Sequence, residues 1–123
     1  MGSLDEIRAA AEALRALGPR TVIVTSTPVE GGVGLLTATG DGAWLSSTPR
    51  VGRALNGAGD FVAALVLAGL LKGSGAPGAA ARAAGAAWAA ARSAERMDRD
   101  DLPVVLAQAE WQGAAAAEIV RLG

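Results

Sequence analysis

Thr21-Val22-Ile23-Val24-Thr25-Ser26 is the stretch on which the fold turns. It is short, β-branched and apolar at odd and even positions alike, so helices would have to cover both faces of a strand built from it. That predicts a central parallel strand. Two more strand-like runs follow, Gly34–Thr39 and Ala43–Thr48, and the turn-rich Gly40-Asp41-Gly42 between them marks a β-hairpin. Thr27–Gly32 and Pro49–Leu55 read as loops.

Helices flank this region. Ser3-Leu4-Asp5-Glu6 fits a capping box, and Leu4, Ile7, Ala11, Leu14 and Leu17 recur at three- and four-residue steps up to the stop at Gly18-Pro19. Phe61–Leu71 is a strongly apolar helix ended by Lys72-Gly73. Ser74–Gly78 reads as a linker, with Pro77 placed to open the next helix. Ala79–Ala94 is almost pure helix former, marked by Trp88 and interrupted by Gly85. Arg96–Asp101 is a charged connection. Leu102–Ala107 reads as an edge strand, where Pro103 would be tolerated, and Gly113–Leu122 as a short final helix. The order is that of an α/β chain.

Composition narrows the chemistry. The 123 residues carry 11 basic and 12 acidic side chains, with no cysteine and no histidine. Disulfides, thiol nucleophiles, Cys/His zinc sites and histidine-based hydrolysis are excluded. A net charge of −1 offers no basic face for nucleic acid. No apolar run reaches the ~18–20 residues of a membrane span. The Met1-Gly2-Ser3 start lacks the basic and apolar regions of a secretion signal and fits a cloning scar, so a cytoplasmic location is expected. The chain holds 30 alanines and 17 glycines but only 3% aromatic residues. Such a domain packs its elements closely and buries little area per residue, so its faces call for partners.

Asn56-Gly57-Ala58-Gly59-Asp60-Phe61 carries the most chemical information. Glycines just ahead of a long helix let backbone amides approach an anion, and the helix start adds unpaired N–H groups and partial positive charge. An aspartate there would repel a bound phosphate, but it makes sense facing an attacking hydroxyl while the amides hold a transferred phosphoryl group. The Walker A pattern G-x-x-x-x-G-K-[ST] is absent. The dinucleotide-binding pattern fails at Val62 and lacks a strand before its first glycine. On the residues alone a plainer reading stays open, in which Gly57 and Gly59 make a turn and Asp60 caps the helix.

Taken in order, Gly18–Ser26, Asp41-Gly42-Ala43-Trp44-Leu45, Asn56–Asp60 and Leu65–Gly73 resemble the C-terminal part of the pyridoxal kinases, members of the ribokinase-like superfamily. Asp101–Glu110 is similar to that family's final strand. The resemblance implies the C-terminal portion of a three-layer α/β/α fold, here with a β-hairpin and Ala-rich helices on a small mixed sheet. The whole of 1–123 would be the nucleotide- and phosphate-binding part, and the N-terminal substrate-binding half would be absent, through a truncated gene or a cloned fragment. The implied activity is ATP-dependent phosphorylation of the 5′-hydroxymethyl group of pyridoxal.

The resemblance also assigns positions. Asp60 matches the catalytic base that meets the substrate hydroxyl, and Gly57, Ala58 and Gly59 match the anion-hole turn; Ala58 stands where threonine or valine is common. Thr25 and Ser26 match contacts to ATP phosphates, and small hydroxyls at a strand's end suit that role. Thr48, Pro49, Arg50 and Val51 match the nucleotide-binding segment, and Asn56 belongs to the same nucleotide-binding set. Arg50 or Arg53 either adds charge against phosphate or is merely solvated. The implied cofactors are ATP and Mg²⁺ held through the nucleotide phosphates, with K⁺ assistance as in the wider family; no protein metal ligands are assigned. ATP and pyridoxal would be the partners, in a homodimer. Three alternatives accompany this reading: an inactive nucleotide-binding or self-associating fragment, a kinase with a sugar or hydroxymethylpyrimidine acceptor, and an Ala-rich bundle without a ligand.

Overall fold

The computed structural model describes residues 2–51 and 55–123, so Met1 of the scar reading and part of the Pro49–Leu55 loop lie outside the described residues. The chain begins with α1 (Leu4–Ala16). The expected capping box forms: Ser3 Oγ accepts the Glu6 N–H at 3.1 Å, and the same hydroxyl donates to the Glu6 carboxylate at 3.2 Å.

Four strands follow the sheet order β1 (Val22–Val29), β2 (Gly32–Thr39), β3 (Gly42–Pro49) and β4 (Glu118–Arg121), every pair antiparallel. Among the described residues the sheet is therefore antiparallel rather than mixed, and Thr21–Ser26 has no parallel neighbour there. It belongs to β1, which lies at the sheet edge and continues to Val29, so Thr27–Gly32 is no loop. Register pairs Val29 with Gly32, and Glu30-Gly31 makes a tight turn with Gly31 at φ 70°. The two-faced apolar pattern was a sound sign of cover on both faces: Ile23 packs with α2 (Ala58–Leu71) and α3 (Ala76–Arg96), while Val22 and Val24 pack with α1. Cover on two faces says nothing about neighbours on two edges. The strand buried from both sides is β2, where Leu36 is fully buried against Ile7 and Ala11 of α1 and Leu35 faces Val62, Val66 and Ala83. The expected hairpin is β2–β3, with Thr39 opposite Gly42.

α1 on one face and α2 with α3 on the other make three layers. The helices of the second layer approach closely because their contacts are small residues. A Cβ at Gly69 would stand 2.9 Å from the Ala79 Cβ, and one at Gly85 would collide with the Ala115 carbonyl.

The C-terminal expectations are corrected. Leu102–Ala107 is not an edge strand: Val104 N–H donates to Leu102 O and Ala107 N–H to Pro103 O, so the segment turns. Among the described residues the resemblance to a final strand survives as one parallel bridge between Asn56 and Asp101. Gly113–Leu122 is not a helix. A short α4 (Gln108–Gln112) precedes it, and the chain then runs extended into β4, with Ala117 N–H donating to Ala81 O at 2.8 Å. The alanines follow an extended path because Gly85 leaves room for it on α3 and because Ile119-Val120 pair with β3. Among the described residues no helix is long and apolar enough to cross a membrane.

Candidate functional site

β1 is interrupted where it meets the site. Its register with β2 shifts between Val24 and Thr27, a bulge that leaves Thr25 and Ser26 out of the ladder. Ser26 adopts φ 55°, the left-handed region that non-glycine residues seldom occupy. Buried Thr27 closes the bulge by donating its hydroxyl to Val24 O at 3.2 Å. Both bulge residues border an open cleft of about 570 Å³. Thr48, Pro49, Arg50 and Val51 at the end of β3 border it as well, as do Ala58 and Gly59 at the start of α2. The Arg50 guanidinium donates to Gly32 O at 3.1 Å, so this arginine is tied to the end of the β1–β2 turn rather than merely solvated. Arg53 lies outside the described residues.

α2 begins beside this cleft. Gly57 is its N-cap, at φ 90° and ψ −5°, and no side chain makes a capping hydrogen bond. The first helical hydrogen bond runs from Phe61 N–H to Gly57 O at 3.0 Å, which leaves the Ala58, Gly59 and Asp60 amides without an intrahelical partner. Asp60 stands exposed in this first turn. The plainer reading, with Asp60 as a helix cap, does not describe this geometry. Asp60, Gly57 and Asn56 do not themselves line the cleft; they stand one to three residues from Gly59, which does.

The turn is held from behind. Asn56 N–H donates to Asp100 O at 3.0 Å and Asn56 O accepts from Leu102 N–H at 3.1 Å, so Asn56 acts here through its backbone. Arg99 and Asp101 brace that segment with paired hydrogen bonds of 2.9 and 3.0 Å. The hydrogen bond from Arg99 holds the Asp101 carboxyl below its ordinary range, and the same bond raises the guanidinium.

One wall escaped the sequence reading. α3 turns Ala84, Ala87, Trp88 and Ala91 toward the cleft. Their spacing of i, i+3, i+4 and i+7 is one helical face; the sequence shows the spacing, but within a run that reads there as a closely packed helix.

The cleft therefore has a polar end, where the β1 bulge, the end of β3 and the helix amides meet, and an apolar wall. No family model matches the chain. A pyridoxal kinase of Rubrobacter xylanophilus is 50% identical over 72 residues, covering 54% of this chain and 25% of that protein. One from Leifsonia xyli is 43% identical over 70 residues, with the same coverage of 54% and 25%. Among solved structures, the pyridoxal kinase of Entamoeba histolytica superposes with a TM-score of 0.86 at 19% identity, over 98% of this chain and 44% of that one. The Leishmania donovani pyridoxal kinase in complex with ADP gives 0.86 at 17% identity, over 100% and 45%. A Bacteroides thetaiotaomicron protein described as a phosphomethylpyrimidine kinase gives 0.87 at 20%, over 99% and 44%. The matched stretch thus spans a quarter of the curated relatives, and the chain less than half of each solved structure. In sequence over the matched stretch, and in α/β fold along nearly its whole length, the chain is similar to one part of a pyridoxal kinase.

Proposed function

We propose that this chain is the C-terminal, nucleotide- and phosphate-handling part of an ATP-dependent pyridoxal kinase. The observation that carries the reading is the convergence of Thr25, Ser26, Thr48–Val51 and the Ala58-Gly59 turn on one cleft, with Asp60 exposed one residue beyond. Uncapped amides at a helix start supply donors and positive potential to a phosphoryl group. The bulge hydroxyls of Thr25 and Ser26, with Thr48 and Arg50, serve the remaining phosphates. Asp60 orients the acceptor hydroxyl. As the acceptor oxygen bonds to the γ-phosphorus, the bond from that phosphorus to the β,γ-bridging oxygen breaks, ADP leaves, and the hydroxyl proton passes to the Asp60 carboxylate. Mg²⁺ would travel on the nucleotide phosphates and neutralise their charge, with K⁺ as a further cation.

Pyridoxal is favoured over a sugar or hydroxymethylpyrimidine acceptor because the Rubrobacter and Leifsonia relatives are named pyridoxal kinases. The residues that hold the acceptor would lie in the part of the fold outside these 123 residues. The test grafts this chain in place of the equivalent part of the Rubrobacter enzyme and measures pyridoxal 5′-phosphate formation with ATP and Mg²⁺. The graft is expected to turn over and its Asp60→Asn variant to lose more than about 100-fold in kcat with ATP affinity unchanged. An active Asp60→Asn graft would remove Asp60 from the mechanism.

A second reading, a self-associating module, draws on one observation. β1 has no strand partner on its outer edge among the described residues, and Leu67 and Leu71 of α2 are 57% and 79% exposed. A dimer by light scattering that a Leu67→Lys/Leu71→Lys variant dissolves would support it; a monomeric parent chain would dismiss it.

A further inference from the structure

The cleft is chemically divided. Among the described residues its polar side chains are Thr25 and Ser26 at the β1 bulge and Thr48 and Arg50 about the end of β3, whereas α3 contributes three alanines and Trp88. Trp88 is half-buried, and the Arg92 guanidinium carbon sits 5.0 Å from its ring centroid, within cation–π range. Arg92 thus braces the indole from one side while the ring borders the cleft. An indole among methyl groups offers a flat apolar surface and, apart from its own N–H, no side-chain hydrogen-bonding group to a ligand along that wall.

We infer that Trp88 is the nucleobase platform of this site and that the α3 wall selects a base by the size of its face rather than by its hydrogen-bonding edge. The inference rests on the nucleotide reading given above. Stacking on an aromatic ring tolerates any base but grows with overlap, so a purine gains more than a pyrimidine. A hydrogen-bonded base edge is what separates adenine from guanine strongly, and on this wall alanine side chains stand where such groups would be, among the described residues. The site should therefore accept ATP and GTP alike and hold CTP and UTP less tightly.

The test titrates the 123-residue chain with ATP, GTP, CTP, UTP and inorganic tripolyphosphate by calorimetry, alongside Trp88→Ala and Trp88→Phe. In the parent, ATP and GTP are expected within about threefold of each other, with the pyrimidine nucleotides about tenfold weaker. Trp88→Ala should bring all four nucleotides to the tripolyphosphate affinity and leave tripolyphosphate unaffected. Trp88→Phe, which keeps an aromatic face, should retain the purine preference and guards against an alanine variant that fails to fold. Unchanged ATP affinity in Trp88→Ala, or a preference of ATP over GTP beyond about tenfold, overturns the inference while leaving the nucleotide reading in place. Failure of the parent to bind any of the five removes the nucleotide reading and the platform with it.

Discussion

The rings of Phe61 and Trp111 meet edge to face, centroids 5.0 Å apart and planes at 85°, and this contact clamps the first turn of α2 to the C-terminal segment. Phe61 follows Asp60 directly, and its amide makes the first hydrogen bond of the helix. Trp111 is itself anchored by its indole N–H, which donates to Val104 O at 2.8 Å. Trp111→Ala removes the ring pair and that hydrogen bond and is expected to cost about 2 kcal/mol in denaturant unfolding. Trp111→Phe should recover part of the ring contribution but not the hydrogen bond. An alanine variant as stable as the parent would show that the clamp contributes nothing.

Gly57 and Gly59 separate folding from ligand handling. Gly57 sits at φ 90°, so Gly57→Ala is expected to lose about 1 kcal/mol of stability through backbone strain. Gly59 is helical, and a Cβ there would meet no atom within 4 Å, so Gly59→Ala should be neutral or stabilising by up to about 1 kcal/mol. The same methyl would stand beside the uncapped amides and should weaken ATP binding severalfold in a calorimetric titration. Equal loss of stability in both variants would contradict this assignment.

Gly85 predicts a cooperative loss. Any Cβ at this position drives into the Ala115 carbonyl, and the extended segment leading to β4 would have to leave α3. Gly85→Val should cost more than about 2 kcal/mol and expose β4 amides to hydrogen exchange, despite the ordinary tolerance of helices for side chains. Retained protection of the Val120 amide, which faces β3 opposite Leu45, would show that β4 docks independently of α3.

The Arg99–Asp101 pair sets a weak acid limit. The Asp101 carboxyl is lowered in the folded chain, so the unfolded chain binds its proton more readily and the contribution is present above the ordinary carboxyl range of about 4. It is lost as pH falls through the folded value. The raised guanidinium stays protonated in both states at working pH and adds no dependence. Thermal unfolding at about pH 7 should place Asp101→Asn slightly below the parent, and the gap should narrow as the pH falls below the ordinary carboxyl range. A gap that persists in acid would assign the effect to something other than the carboxylate charge.

Local chemistry made much of this legible in the sequence. The Ser3 to Glu6 capping box, the Gly40-Asp41 hairpin and the Lys72-Gly73 stop depend on residues within a few positions of one another, so the chain sequence contains all their causes. The Asn56–Asp60 turn belongs to the same class: a glycine able to adopt positive φ before an apolar run signals a helix start whatever surrounds it. The expectations that failed were those whose causes lie far along the chain. Val104-Val105-Leu106 has strand-forming residues, yet it turns with Val104 O accepting from the Trp111 indole N–H. Ala114–Ala117 has the best helix former, yet it lies extended because the notch at Gly85 and the open edge of β3 outweigh a propensity difference of less than about 1 kcal/mol per residue.

Residue order alone determined where α1 starts and stops and where α2 stops, which run is apolar on two faces, and that a carboxylate follows a glycine-rich turn. Only the tertiary structure decided that β1 has one strand neighbour among the described residues, that its bulge turns Thr25 and Ser26 toward the same cleft as the α2 start, and that Trp88 lines that cleft from α3. Propensities and caps act over one turn of chain. Edges, clefts and walls come from surfaces that meet only after folding, where packing energies exceed local preference.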